Sequence, residues 1–398
     1  MSYTVLARKY RPQAFEAMTG QEHVVRTVEN AIKLDRVAHA YLFAGPRGVG
    51  KTTAARLLAR ALNCEGGPTS TPCGTCRACT EIRDGISTDV QEIDGASNNG
   101  VENVREIREN AKYQPQRDRF KIYIIDEVHM LSGPAFNALL KTLEEPPGHV
   151  KFIFATTEAH KLPDTILSRC QRHNFRRISQ AAMLKRLKEI SALEKVTISE
   201  SALSLIVRQS EGGMRDALSL LDQVLSACGN EPKDADVAEA LGTIDRTLVN
   251  SLARALVTRD AATVLKHTEE VWNRGVDLRR LAEELAWWLR HLFVAKATGA
   301  APEELADTDR EAVTSLARDA DAAQLARLFD VVHSGVWEIA RAAQPKLALE
   351  MILLKALHLA PAASIPELIS RVERLASGQS ASGTGASGGR PPSAPFRA

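Results

Sequence analysis

The stretch that most constrains this chain is Tyr41-Leu42-Phe43-Ala44-Gly45-Pro46-Arg47-Gly48-Val49-Gly50-Lys51-Thr52-Thr53. It opens as an apolar run and turns through three glycines. It then continues into Ala54–Leu62, where Leu57, Leu58, Ala61 and Leu62 recur at helical spacing. The order predicted is strand, Gly-rich loop, helix. Gly45 to Thr52 fits G-x-x-x-x-G-K-[ST], the P-loop pattern. In such a loop the backbone N–H groups curl around phosphate oxygens, and the following helix adds its positive dipole end. Gly45, Pro46, Arg47, Gly48, Val49 and Gly50, with Lys51, Thr52 and Thr53, form the candidate nucleotide cradle. Lys51 is expected to reach the β- and γ-phosphates, and the Thr52 hydroxyl to ligate Mg²⁺. A glycine-rich turn can match this pattern by accident, but the flanking strand and helix oppose that reading.

A chain of 398 residues exceeds one ordinary domain, so two or three are expected. With 44% hydrophobic and 25% charged residues, the composition is that of a soluble globular protein. A net charge of +2 excludes a globally basic nucleic-acid coat while leaving room for a local basic channel. Residues 1–12 lack the apolar core of a signal peptide, and no apolar run approaches membrane-spanning length. Of the six cysteines four are clustered, which suits a metal in a reducing cytosol better than a disulfide framework. A cytoplasmic location with no membrane partner is expected.

Before the P-loop, Ala7–Pro12 reads as a basic, extended approach, followed by a helix over 21–34 with Val24, Val25, Val28 and Ile32 on one face. Arg11 and Pro12 are candidates to lie beside a bound base; the alternative is a surface arm covering the sheet. After the P-loop helix, Cys64, Cys73, Cys76 and Cys79 fall in one loop containing two C-x-x-C gaps. Four thiolates suit a tetrahedral Zn²⁺ with no position open to water, and so a structural role. Unliganded thiols and an iron–sulfur cluster are the other readings. Val90–Asp94 is a candidate strand. It leads into Ser97-Asn98-Asn99-Gly100 and a helix from Val101, an N-terminus suited to a phosphate or simply capped by Ser and Asn side chains.

Lys121–Asp126 is an apolar run that ends in Asp126-Glu127, as expected of a buried parallel strand delivering carboxylates at its edge. Downstream of a P-loop this is the Walker B arrangement: Asp126 for Mg²⁺ and Glu127 to polarise an attacking water. His129 reads as packing or capping, with no chemistry assigned. Phe136, Leu139, Leu140 and Leu143 mark a helix stopped by Pro146-Pro147. Val150–Thr157 is another buried strand ending in hydroxyls, with Thr157 placed to position the lytic water. Ser168-Arg169-Cys170 then leads out of the sheet.

Together with Glu211-Gly212-Gly213-Met214-Arg215-Asp216, these motifs resemble the bacterial clamp-loader AAA+ ATPases, the DNA polymerase III gamma/tau family. The resemblance is continuous from about Ala7 to about Asp222 and looser to about residue 360. It implies an α/β P-loop AAA+ domain: a parallel sheet with flanking helices and a zinc-binding insertion, followed by an all-α lid and an all-α collar. It also implies that Arg169 acts in trans on the ATP of a neighbouring subunit, that Arg215 is a sensor-2 arginine, and that Thr157 occupies the sensor-1 position. The Ser97–Asn99 helix start lies where the family lines its DNA channel. The partners implied are subunits of the delta and delta prime types, further copies of this chain in a ring, a sliding clamp and primed DNA. The location implied is the nucleoid-associated replication machinery of the cytoplasm.

The expected domains are 1–179 with the four-cysteine module at 64–79, a lid over 180–242, a collar over 243–362, and a Gly/Ser/Pro-rich flexible tail over 363–398. Apolar stripes predict helices over 248–257, 264–272, 278–294, 325–339 and 346–358 in the collar. Trp287, Trp288 and Trp337 are read as core or interface anchors. The function expected is an ATP-hydrolysing motor subunit that opens a sliding clamp and loads it onto primed DNA. The alternatives are an ATP-binding scaffold and another AAA+ DNA remodeller; intact Lys51, Thr52, Asp126 and Glu127 weigh against the scaffold.

Overall fold

A computed structural model describes residues 4–358 apart from 243, 245, 303, 304 and 306; the expected tail over 363–398 lies outside the described residues. The chain divides into two units, one ending at Thr243 and the other beginning at Ile244. In the first, chain order runs α1 (Leu6–Lys9), α2 (Glu22–Lys33), β1 (Ala40–Ala44), α3 (Lys51–Asn63), α4 (Arg77–Asp84), β2 (Val90–Asp94) and α5 (Val101–Asn110). It continues through β3 (Lys121–Asp126), α6 (Gly133–Glu144), β4 (Val150–Thr156), α7 (Asp164–Leu167) and β5 (Gln171–Asn174). Helices α8 (Gln180–Leu193), α9 (Glu200–Gln209), α10 (Met214–Cys228) and α11 (Asp234–Ala240) complete it.

The five strands form one sheet of order β2-β3-β4-β1-β5, and every pairing is parallel. Parallel strands need helical crossovers, so both faces are covered and the strands read as nearly continuous apolar runs. Their side chains alternate between the faces. Tyr41, Phe43, Ile122 and Ile124 enter a core with α2 and α3, while Leu42, Tyr123, Ile125 and Phe154 enter one with α5 and α6. Because β4 is inserted between β1 and β3, the loops after these three strands share the carboxyl edge of the sheet, where ligands of open α/β folds sit.

Helices α8 to α11 pack around Met183, Leu187, Ile190, Leu203, Ile206 and Leu221. Leu193, the last residue of α8, is exposed. Ser179 and Ser199 cap α8 and α9 by accepting from Ala182 N–H and Ala202 N–H. The basic approach does not cover the sheet. Leu6 belongs to the core of these helices, the Tyr10 hydroxyl donates to Glu194 at 2.6 Å, and Leu6 N–H donates to Asp222. Phe15 and Met18, a few residues on, are already in the sheet's core, so Arg11 and Pro12 lie on the crossing between the two clusters.

The second unit holds α12 (Arg246–Thr258), α13 (Ala261–Asn273), α14 (Leu278–Thr298), α15 (Asp307–Asp319), α16 (Ala322–Arg341) and α17 (Pro345–Leu357). The long α14 runs through its core with Leu281, Leu285, Trp288, Leu289 and Leu292 buried. The predicted stripes missed α15, in which acidic and basic residues dilute an apolar face carried by Val313, Leu316 and Ala317. Trp288 is a core residue, whereas Trp337 is 61% exposed with the Arg279 guanidinium 5.9 Å from its ring centre. Among the described residues no helix is long and apolar enough to cross a membrane.

Candidate functional site

The P-loop leaves β1 at Ala44 and enters α3 at Lys51. Gly50 caps α3 in the left-handed region at φ 101°, a conformation costly for residues with a Cβ. Gly48, at φ 75°, approaches α10 so closely that a Cβ there would meet Asp216 Oδ2 at 2.5 Å. Arg215 N–H also donates to Gly48 C=O at 3.2 Å, so the first turn of α10 rests on the phosphate-binding loop. Lys51 is 6% exposed, and its ammonium donates to the Gly45 and Pro46 carbonyls at 2.8 Å each. Burial lowers its pKa below the usual lysine value, and the negative charges of Glu127 and Asp126 oppose that shift.

The Thr52 hydroxyl donates to Asp126 Oδ2 at 2.6 Å, joining the start of α3 to the end of β3. A hydroxyl and a carboxylate oxygen so placed are a donor set for a hard cation such as Mg²⁺. The next residue, Glu127, has φ 44° and ψ 46°, a left-handed conformation that costs about 1–3 kcal/mol in a non-glycine residue and marks sites held by their surroundings. Its Oε2 accepts from Thr157 N–H at 3.1 Å and from the Thr157 hydroxyl at 3.0 Å. The two residues singled out for the lytic water are therefore in direct contact. His129, assigned no chemistry from sequence, lies between carboxylates: Nδ1 is 3.3 Å from Glu127 and Nε2 is 3.0 Å from Glu158. The available signal was a histidine in the short turn directly after a carboxylate pair.

Arg169 is remote from this edge. Register pairs Tyr41 with Gln171, the first residue of β5, so Arg169, in the turn just before it, lies at the amino edge of the sheet. About four residues of β rise separate Tyr41 from Gly45, or about 13 Å, more than an arginine side chain spans. Its guanidinium pairs with Glu144 at 2.7 Å and donates to Thr165 C=O at 2.7 Å. Arg215 is exposed at the start of α10. Arg11 and Pro12 line a small hollow with Gln13, Thr53, Arg56 and Arg60, adjoining α3. Burial, with added repulsion from Arg56, pushes the Arg11 pKa below its usual value.

The capping alternative for α5 does not describe the structure. Its N-cap is Gly100, which offers no side chain, and Ser97 and Asn98 instead donate to Asp94.

The sulfurs of Cys64, Cys73, Cys76 and Cys79 lie within 4.8 Å of one another. Four Zn–S bonds of about 2.3 Å would set them about 3.8 Å apart, so the cluster fits a tetrahedral ion after small adjustments. Cys76 N–H donates to Cys73 Sγ at 3.3 Å and Cys79 N–H to Cys76 Sγ at 3.5 Å, polarity that favours thiolates. Backbone donation from Cys76 and Thr75 brings the Cys73 pKa down to about 6, while burial pushes that of Cys79 up to about 12. Cys170 and Cys228 are not in the cluster.

Three family models match in succession: DNA polymerase III, delta subunit, over 20–179; the DNA polymerase III clamp loader subunit, ATPase lid domain, over 183–230; and DNA polymerase III subunits gamma and tau domain III over 233–374. The chain is 41% identical to DNA polymerase III subunit tau of Bacillus subtilis, over 94% of this chain and 68% of that one. It is 42% identical to subunit tau of Escherichia coli, over 92% of this chain and 57% of that one. Subunit gamma of Buchnera aphidicola is 38% identical over 89% of this chain and 99% of its own length. The chain thus spans between about half and two thirds of the tau relatives and nearly all of the gamma relative. Among solved structures, the Thermotoga maritima RuvB Holliday junction branch migration motor aligns weakly, at 19% identity and a TM-score of 0.44 over 62% of this chain and 79% of that one.

Proposed function

The chain belongs to the DNA polymerase III gamma/tau family, and on that premise we propose that it is an ATPase motor subunit of a clamp loader. It binds ATP with Mg²⁺ and uses hydrolysis to open a sliding clamp and release it, closed, on primed DNA. The observation that carries this reading is the meeting of Lys51, the Thr52–Asp126 pair and the Glu127–Thr157 pair at one sheet edge. Lys51 holds the β- and γ-phosphates, Thr52 and Asp126 hold the Mg²⁺ that neutralises them, and Glu127 takes the proton of an attacking water oriented with Thr157. Arg215, carried by a helix that rests on the P-loop, senses the γ-phosphate from the lid over 180–242. Arg11 and Pro12 flank the base.

Arg169 lies too far from its own P-loop to serve it, which supports action on the ATP of a neighbour in a ring of this chain with delta-type subunits. The collar over 243–362 holds that ring. The first turn of α5, lacking a side-chain cap, offers its N–H groups to phosphates of the enclosed duplex. The protein works in the cytoplasm with the nucleoid-associated replication machinery. Steady-state ATP turnover of the assembled complex, with and without clamp and primed DNA, tests the reading. Strong stimulation by the pair is expected; flat turnover would overturn the clamp-loading function and leave a nucleotide-binding scaffold.

The four cysteines hold a structural Zn²⁺ that staples the loop between α3 and α4. Elemental analysis is expected to return about one zinc per chain. Chelation is expected to release the metal and expose that loop to protease before the rest of the unit. A folded chain isolated without metal would overturn the assignment.

A further inference from the structure

The contacts around Glu127 contain a conflict that follows from valence. The Thr157 hydroxyl has one proton, and it donates it to Glu127 Oε2 at 3.0 Å. The proposed function asks the same hydroxyl to orient the attacking water. It cannot donate to both, so a water that captures the Thr157 hydroxyl removes one of the donors restraining the Glu127 carboxylate. A carboxylate that activates water has to be held by other groups at that moment, because misplacement by about 1 Å is enough to cost roughly a hundredfold in rate.

His129 is the side chain placed to do this. It is buried to 7% exposure of its side chain, and its Nδ1 lies 3.3 Å from the same Oε2 that Thr157 occupies. The ring is itself fixed from both sides. Nδ1 has a single hydrogen-bonding position, shared between Glu127 and the Thr156 hydroxyl 3.0 Å away, and Nε2 is 3.0 Å from Glu158, whose carboxylate also accepts from Lys161 at 2.9 Å. Glu158 N–H closes the circuit by donating to Thr156 Oγ1 at 3.0 Å. The turn after β3 and the turn after β4 are thereby linked through one imidazole.

We propose that His129 is a positioning residue for Glu127, holding its carboxylate in place when Thr157 turns its hydroxyl to the attacking water. The inference rests on the roles assigned to Glu127 and Thr157 under the proposed function. His129 touches no substrate atom and acts through Glu127 alone. The loss on removing it therefore falls on the chemical step and spares nucleotide binding.

The test is single-turnover ATP hydrolysis by the complex assembled from the full chain and its partner subunits, with nucleotide affinity measured separately by titration of a fluorescent ATP analogue. His129→Ala is expected to slow the chemical step by roughly tenfold or more, as loss of such supporting groups does, with affinity changed less than about twofold. His129→Asn puts an amide N–H near the Nδ1 position and is expected to restore most of the rate. His129→Gln puts it near Nε2 and is expected not to. In a Glu127→Gln background, His129→Ala is expected to add nothing. Rescue by Gln in place of Asn, a loss confined to affinity, or an undiminished effect in the Glu127→Gln background would each overturn the inference. If His129→Ala does not fold, the Asn and Gln variants carry the same comparison. Should Glu127→Gln itself hydrolyse ATP at the unaltered rate, the base assignment fails first and the inference with it, an outcome separable from the three above.

Discussion

Lys51→Ala is expected to abolish nucleotide binding and, with it, all turnover. The ammonium is the one buried cation among Lys51, Thr52, Asp126 and Glu127, and it hangs directly beneath the loop carbonyls of Gly45 and Pro46. Hydrogen bonds to charged groups contribute about 1.5–3 kcal/mol each, and a lysine shared between two phosphates loses at least two. At about 1.4 kcal/mol per tenfold, the dissociation constant should rise by roughly a hundredfold or more. Without its charge, Asp126 and Glu127 also face the phosphates with one positive group fewer between them. Isothermal titration with ATP and Mg²⁺ checks this, and retained affinity would remove the P-loop assignment. Folding should survive. The variant gives up two hydrogen bonds but also the burial of a charge that already titrates below its usual value. The Tm should fall only a few degrees, at about 2–4 °C per kcal/mol lost in a unit of this size.

Arg169→Ala is expected to leave binding nearly unchanged and to collapse hydrolysis in the assembled ring. An arginine supplied to the transition state of phosphoryl transfer contributes about 10³–10⁵ in rate. The contrast with Lys51→Ala follows from position: one residue is at the carboxyl edge of the sheet, the other just before β5 at the opposite edge. Its ion pair with Glu144 is half exposed, and such pairs contribute about 0–1 kcal/mol, so stability offers no alternative explanation for a large loss. Mixing the variant with unaltered chains sharpens the measurement, because each Arg169→Ala copy should silence the site of its neighbour and not its own. Turnover equal to that of the unaltered ring would end the trans-acting role.

Much of the fold was legible because it is written in short-range patterns. Tyr41–Ala44 and Lys121–Asp126 are apolar runs whose length and flanks demand buried strands, and glycine is needed wherever the P-loop turns left-handed, as at Gly48 and Gly50. Four cysteines between the end of α3 and the first turn of α4 meet because so short a connection keeps them together. The helix at Asp307–Asp319 was lost because its apolar face is thin beside its charges.

The sequence by itself determined the Gly-rich loop, the carboxylates at the end of β3 and the cysteine cluster, because each depends on spacing within about sixteen residues. Tertiary structure decided what those groups touch. The insertion of β4 between β1 and β3 brings Thr157 against Glu127, and parallel register puts Arg169 at the far edge from its own P-loop. Likewise Leu6 and Tyr10 join helices about two hundred residues away instead of covering the sheet, and His129 becomes a bridge between two carboxylates. These contacts join residues distant in sequence, or depend on turns whose direction is fixed only when the strands pair. Periodicity and motif spacing carry no information about which distant partner a side chain meets.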